Sequence, residues 1–421
     1  MTDHWFDSAS FGMFIHWGIA SVHGDIDLSW GMIEDKPWDA EERSIPPSDY
    51  FALAESFRPE AYEPDAWLAA ARRAGMEYAV LTTRHHDGFA LWPSDHGTFN
   101  TGEYLDGRDL VGEFVDACRR QGVKVGFYYS GPDWHHPAHP IEPGPYEELF
   151  PTADSVDPAD PAAIADFEEY FAYAKGQIRE LVTRYGEIDV FWFDGSVTYG
   201  PFDRGMAELY QLIRSAQPDV LINDRGDPTL GDYQTPECRL PDRPLDGRWE
   251  RCQTWGTPWG YVDDAEYADL DWTVAELAKT VARGGNLLLN VGPGPTGELP
   301  DSAHERLDEL ADWMDANRPA IVDVDAGPWP PRSTVPITRT DGIWYLHVLA
   351  DHDPEVLVKN VPAPGDVRRI RDGHALEYAY DGANLYVEVP DETRASPNEV
   401  IAVSWDHPDQ QDGDRIQTRP D

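Results

Sequence analysis

Lysine is almost absent from this chain of 421 residues, occurring only as Lys36, Lys124, Lys175, Lys279 and Lys359. With arginine, the basic side chains number 33 against 78 acidic ones, a formal net charge of −45. A surface this negative repels phosphate, which excludes direct nucleic-acid binding and adhesion to an anionic membrane. Cysteine is scarce too: Cys118, Cys238 and Cys252 are too few and too scattered for a disulfide framework or a zinc ribbon, and none needs a special role. No apolar run approaches the roughly 18 residues of a membrane span, and the opening MTDHWFDSAS lacks the basic and apolar regions of a signal peptide. The expected location is the cytoplasm. Acid excess with so little lysine suits concentrated salt, where a Debye length of about 3 Å screens like-charge repulsion while carboxylates stay hydrated. A salt-rich cytoplasm is therefore the expectation. No repeat of solenoid period occurs, and low complexity is confined to the end of the chain, where 407–421 reads as an acidic, solvated tail.

Against these absences stand 41% apolar residues and 35 glycines, enough for a sizeable core. Up to about residue 322, β-branched and aromatic runs alternate with segments of helical period, the pattern of βα units around a parallel sheet. The strand candidates are 12–18, 77–83, 124–130, 188–195, 220–225, 233–237, 251–255 and 286–292. The helix candidates between them include 64–75, 109–122, 165–186, 205–216 and 273–285, several ending in Gly at the expected C-cap. Eight strands over this length predict a (β/α)8-type barrel spanning 1–322, with a doubly wound sheet as the runner-up. After the helix at 301–320 and the link AGPWPPRSTVP, short alternating runs and the turn dipeptide Asp381-Gly382 predict a small antiparallel β-sandwich over 326–406.

Parallel barrels place their chemistry at the C-terminal ends of the strands. In IDVFWFDG, period two puts Trp192 and Asp194 on one face and Phe191 and Phe193 on the other. A carboxylate beside an aromatic wall is what a glycosidase needs to attack an anomeric carbon and hold a sugar ring, although an Asp here could equally cap the next helix. Other strand ends carry His16, the pair His85-His86, Tyr128 and Tyr129 followed by Asp133, Trp134 and His135, then Asn223-Asp224-Arg225, and Glu237. Trp17, Trp30, Trp92, Trp192 and Trp259 are candidate platforms around a polar pocket. A two-step glycosidase requires a second carboxylate as proton donor, for which Glu237 and Glu250 are the candidates.

In order along the chain, FGMFIHWG, AVLTTRHHDGFALWPS, GFYYSGPDW, FWFDG, NDR and GGNLLLNVGP resemble glycoside hydrolase family 29, the α-L-fucosidases. The resemblance covers nearly the whole chain and implies a barrel followed by a C-terminal β-sandwich, a retaining reaction, fucosylated oligosaccharide or glycoside as substrate, and no cofactor or metal. It makes Asp194 the nucleophile and sets His16, His85, His86, Tyr129, Trp192 and Arg225 around the fucose ring, with Trp30 a further substrate-binding candidate. YQTPE resembles the segment in which many members carry the acid/base, so Glu237 is favoured, with Glu250 as second choice. Trp259 falls where the family closes an aromatic over the sugar methyl group. Many members have Glu-Trp where this chain has Ser29-Trp30, so an acidic hydroxyl contact is missing.

Three other readings compete. A metal-dependent hydrolase could draw ligands from the histidines and Asp194, but adjacent histidines on a strand point to opposite faces. A carbohydrate-binding protein would keep the pocket without turnover, and a related glycosidase would take another L-sugar such as α-L-galactose.

Overall fold

The structure is a computed structural model and describes residues 4–38, 43–149, 157, 159–199, 202, 205–256, 258–390 and 397–405. Its centre is a curled sheet of seven parallel strands: β1 (Phe11–Ile15), β2 (Tyr78–Arg84), β3 (Lys124–Ser130), β4 (Val190–Asp194), β5 (Leu221–Ile222), β6 (Glu250–Gln253) and β7 (Asn286–Val291). They lie in the order β5-β4-β3-β2-β1-β7-β6. Strands buried on both faces are mostly apolar, and β1, β2 and β7 are buried throughout, their buried polar exceptions being Thr82, Thr83, Arg84, Asn286 and Asn290.

The expected strand at 233–237 is not a ladder strand. It runs between β5 and β6 and makes three isolated parallel bridges, Asn223 to Tyr233, Gln234 to Trp249 and Glu237 to Cys252. Pro236 deprives this stretch of a donor, and Cys238 beyond it takes a positive φ of 48°, so a regular ladder cannot propagate. The fifth strand is correspondingly short.

The helices are α1 (Pro47–Ala52), α2 (Pro64–Arg73), α3 (Thr101–Tyr104), α4 (Leu110–Gln121), α5 (Pro161–Arg184), α6 (Met206–Ala216), α7 (Leu270–Val281) and α8 (Asp301–Asn317). Their limits follow local chemistry. Asp109 caps α4 through Gly112 N–H, and Gly122 closes it in the left-handed region. Asp160 caps α5 with Pro161 at the first position, so that helix starts earlier than its apolar periodicity implied.

Beyond α8 the strands are antiparallel: β8 (Asp325–Ala326), β9 (Ile337–Thr340), β10 (Ile343–Leu349), β11 (Glu355–Val358), β12 (Pro364–Arg369), β13 (Tyr378–Tyr380), β14 (Leu385–Glu388) and β15 (Asn398–Trp405). A five-stranded sheet (β12-β15-β10-β9-β8) and a three-stranded one (β11-β14-β13) share a separate apolar cluster that includes Val335, Trp344, Leu346, Val356, Leu385 and Val403. Asp381-Gly382 does turn β13 into β14, with the Asp381 carboxylate accepting from the N–H groups of Ala383 and Asn384. The tail at 407–421 lies outside the described residues.

Candidate active site

A cavity of about 450 Å³ opens at the C-terminal ends of the parallel strands. Its walls bring together Phe14, His16, Trp30, His85, His86, Tyr128, Trp192, Asp194, Arg225, Glu237 and Trp259, from eight separate stretches of sequence.

Asp194 is the last residue of β4 and stands in this cavity with a quarter of its side chain exposed. Its Oδ2 accepts from the Tyr128 hydroxyl at 2.7 Å, and its Oδ1 accepts from Arg225 Nη1 at 3.2 Å. Burial alone would raise its carboxyl, but His86, Arg225 and the Tyr128 hydrogen bond outweigh it and hold the group below its ordinary value. Asp194 is therefore an anion at neutral pH. Arg225 reaches further, donating from Nη2 to Glu237 Oε2 at 2.7 Å and to Cys252 Sγ at 3.3 Å. Its guanidinium lies over Trp192, 4.7 Å from the ring centre. Cys252 is thus part of the wall around this arginine, a position its spacing did not reveal.

The histidines are fixed by their rear contacts. Asn290 donates its amide to the Trp259 carbonyl at 2.7 Å, which turns its oxygen toward His16 Nδ1 at 2.7 Å, so Nδ1 carries the proton. Burial pushes the His16 pKa down to about 4. Its Nε2 is then a bare acceptor. Ser130 gives its proton to the Pro132 carbonyl at 2.5 Å, so its oxygen accepts from His86 Nδ1 at 2.6 Å. His86 Nε2 faces Asp194 Oδ2 at 3.6 Å, and burial lowers the His86 pKa. His85 Nδ1 lies 2.5 Å from Ser29 Oγ, and burial lowers its pKa strongly.

Both His85 and His86 turn into the cavity, although they are adjacent. The strand has already ended at Arg84, and a register shift between Thr82 and Arg84 re-aims its last residues, so alternation across a strand no longer applies. Among the described residues, His85, His86 and Asp194 form a group whose ligand atoms lie within 4.8 Å of one another.

The model of the family described as "Alpha-L-fucosidase" matches residues 1–319. The chain belongs to the α-L-fucosidase family. Among its relatives is the tissue α-L-fucosidase of Bos taurus, 30% identical over 388 residues, covering 86% of this chain and 77% of the bovine one. α-L-Fucosidase isoenzyme 1 from Paenibacillus thiaminolyticus superposes with a TM-score of 0.81 at 32% identity, covering 96% and 98% of the two chains. The Thermotoga maritima α-fucosidase in complex with a mechanism-based inhibitor superposes with a TM-score of 0.76 at 28% identity, covering 95% and 96%.

Within this α-L-fucosidase fold, three expectations need correction. Tyr129 does not line the cavity: its hydroxyl bonds Gln177 at 3.1 Å and its ring lies under Arg84, on the helix side of the sheet. Tyr128 takes the inner position because it pairs in register with Trp192. Glu250 is also outside the cavity. It begins β6, fully buried behind Trp192, and accepts from Tyr78 Oη at 2.6 Å and Trp192 Nε1 at 3.0 Å. Burial pushes its carboxyl up to about 7 against those two hydrogen bonds. Trp17 and Trp92 are core residues, one packed against Phe57, Tyr62 and Trp67, the other donating to Glu180.

Sequence reasoning missed His139, Ile141, Leu149, Ser196, Thr198 and Tyr199, which complete the cavity from the loops after β3 and β4. Only proximity to a strand end could have flagged them. Ser29 is buried against His85 and is absent from the cavity lining, so this serine serves a histidine here.

Proposed function

We propose that this chain is a retaining α-L-fucosidase in which Asp194 is the nucleophile and Glu237 the acid/base. One observation carries the reading: a single guanidinium, Arg225, spans the two carboxylates that face the cavity. Retention needs such a pair about 5–5.5 Å apart, so that one carboxylate attacks while the other serves the leaving oxygen. Asp194 attacks the anomeric carbon as Glu237 protonates the departing oxygen. Glu237 then takes a proton from the water that opens the ester and regenerates Asp194. Arg225 follows the charge, held by Asp194 while that carboxylate is anionic and by Glu237 once the ester has removed it. The bare Nε2 of His16, with His85 and His86, supplies acceptors and donors for ring hydroxyls, and Phe14 with Trp259 forms the apolar patch for the C6 methyl.

The test is hydrolysis of an aryl α-L-fucoside by wild type, Asp194→Gly and Glu237→Gln, with azide added to each variant. Wild-type turnover, lost in Asp194→Gly and restored by azide as β-L-fucosyl azide, supports the assignment. Faster turnover of the corresponding α-L-galactoside would move the substrate, and binding without turnover by folded wild type would overturn the reading. A metal-centred reading draws on His85, His86 and Asp194. Against it, Arg225 already neutralises Asp194 and would repel a cation. Activity unchanged by EDTA is the expected result.

We further read the curled sheet as a (β/α)8-type barrel over 1–322 whose sixth stave is 233–237, followed by a sandwich over 326–406. The acid excess supports a cytoplasm rich in salt. A melting temperature that rises with added KCl is expected, and a flat response, or recovery of the protein from the medium, would remove that part.

A further inference from the structure

Glu250 has no part in the reaction above, yet it is a carboxylate enclosed within the curled sheet. A polar group is not enclosed there without partners, because burial strips it of water. The partners are specific. Each carboxylate oxygen receives one proton donor, Oε1 the indole N–H of Trp192 and Oε2 the hydroxyl of Tyr78. An indole N–H can only donate, so an acceptor at this place sets the direction in which the ring lies.

The opposite end of the contact is the active site. One face of Trp192 carries the Arg225 guanidinium at 4.7 Å, and Tyr128 stacks on the same indole with ring centres 5.5 Å apart and planes 18° apart. Arg225 and Tyr128 are the two side chains that hydrogen-bond the two oxygens of Asp194. The order of contacts is thus Glu250, Trp192, then Arg225 and Tyr128, then Asp194. We propose that Glu250 is a positioning residue for the nucleophile, fixing the Trp192 indole from behind and, through it, the guanidinium and phenol that aim the Asp194 carboxylate. This rests on the reading of Asp194 as nucleophile. It also accounts for a glutamate near the site that cannot reach a leaving group.

Misaiming a reacting group by about 1 Å costs up to roughly 100-fold in rate while ring contacts elsewhere persist. A glutamine could still accept from the indole and donate to the phenol, whose hydroxyl can accept, so Glu250→Leu, which removes both acceptors, is the variant that breaks the contact. On an aryl α-L-fucoside it should lower kcat by about 10- to 100-fold with KM changed less than about threefold. Trp192→Phe, which leaves Glu250 and Tyr78 in place, should lower kcat similarly. Glu250→Leu added to Trp192→Phe should then cost nothing more in kcat, since the link is already cut. Active enzyme is counted from the burst of aryl alcohol, which corrects for any unfolded fraction.

Equal, additive losses in both backgrounds overturn the proposal, as does wild-type kcat in Trp192→Phe, which decides even if Glu250→Leu fails to fold. Azide distinguishes an acid/base role. If Glu250 were the acid/base, azide would speed Glu250→Gln by attacking the fucosyl ester, the anomeric C–O bond breaking as Asp194 leaves, and α-L-fucosyl azide would accumulate. No such product is expected from Glu250→Gln, whereas Glu237→Gln should form it. Absence of turnover by wild type would sink the fucosidase reading itself, while active wild type with unimpaired Glu250→Leu would sink only this inference.

Discussion

Two arginine–aspartate pairs flank β3, and they do opposite things. Arg84 and Asp133 lie 3.3 Å apart with 0% and 2% of their side chains exposed. Most directions around them are used: Arg84 donates from both terminal nitrogens, to Gln177 and to the Ser130 carbonyl, and lies over Tyr129, while Asp133 accepts from Tyr173 and from the N–H groups of His135 and His136. Arg225 and Asp194 lie 3.2 Å apart with 21% and 25% exposed, and both open into the cavity. The enclosed pair holds the loop after β3 in shape. The open pair keeps part of its surface unfilled, as the proposed nucleophile requires if a substrate is to reach it. Similar charges at similar separations thus serve architecture or chemistry according to what else surrounds them.

Paired substitutions break that comparison most directly. Asp194→Asn should cost on the order of 10⁴-fold or more in kcat/KM on an aryl fucoside, with the melting temperature unchanged or raised. Asp133→Ala should do the reverse, leaving a buried unpaired charge and lowering unfolding free energy by about 3–5 kcal/mol in denaturant titration, with residual activity tracking the folded fraction. An Asp133→Ala protein of wild-type stability would abolish the distinction.

A smaller loss is expected at Glu237. Glu237→Gln should reduce kcat/KM by about 10²- to 10⁴-fold on fucosides of sugar alcohols, and by less where the leaving group is an acidic phenol needing no proton. Equal losses on both would place the acid/base elsewhere.

Ser130 links the two pairs, since its carbonyl binds Arg84 and its hydroxyl holds His86. Ser130→Ala removes only the second link and should raise KM by about 3- to 10-fold, the worth of one hydrogen bond, with little change in stability.

The mildest test uses pH. Burial pushes His16, His139 and His347 down to about 4. Between that value and the ordinary 6.5 the unfolded chain binds protons that the folded chain does not, so stability is present above pH 6.5 and is lost as pH falls toward 4. His347 lies in β10, far in sequence from either pair, and His347→Leu should flatten part of that acid decline in the melting temperature without changing activity at pH 7. An unchanged decline would assign the acid sensitivity elsewhere.

Much of this molecule was legible before its structure. The segments around β1 to β4 and β7 announce themselves because they are apolar and end in polar residues, and Asp194 shares a face with Trp192 by simple alternation. Tyr128 and Tyr129 could not be told apart, because both are aromatic and both are buried; only the pairing of Tyr128 with Trp192 shows which one faces inward. Glu237 and Glu250 are equally acidic in sequence, yet one follows a strand-like stretch and the other begins a strand, which puts them at opposite depths of the sheet. That polarity was available in the spacing. The register shift after Thr82, which turns two successive histidines the same way, was not.

The stretch 233–237 touches its neighbours through three separate bridges and no continuous ladder. A ladder ties every residue to a register, and slipping by one place turns each side chain to the other face. Where that tie is missing, a sequence can gain or lose a residue without scrambling the strands on either side. The proposed proton donor, Glu237, rides on this seam while the proposed nucleophile, Asp194, is stitched into β4, so evolution can retune the distance between them by editing one seam alone.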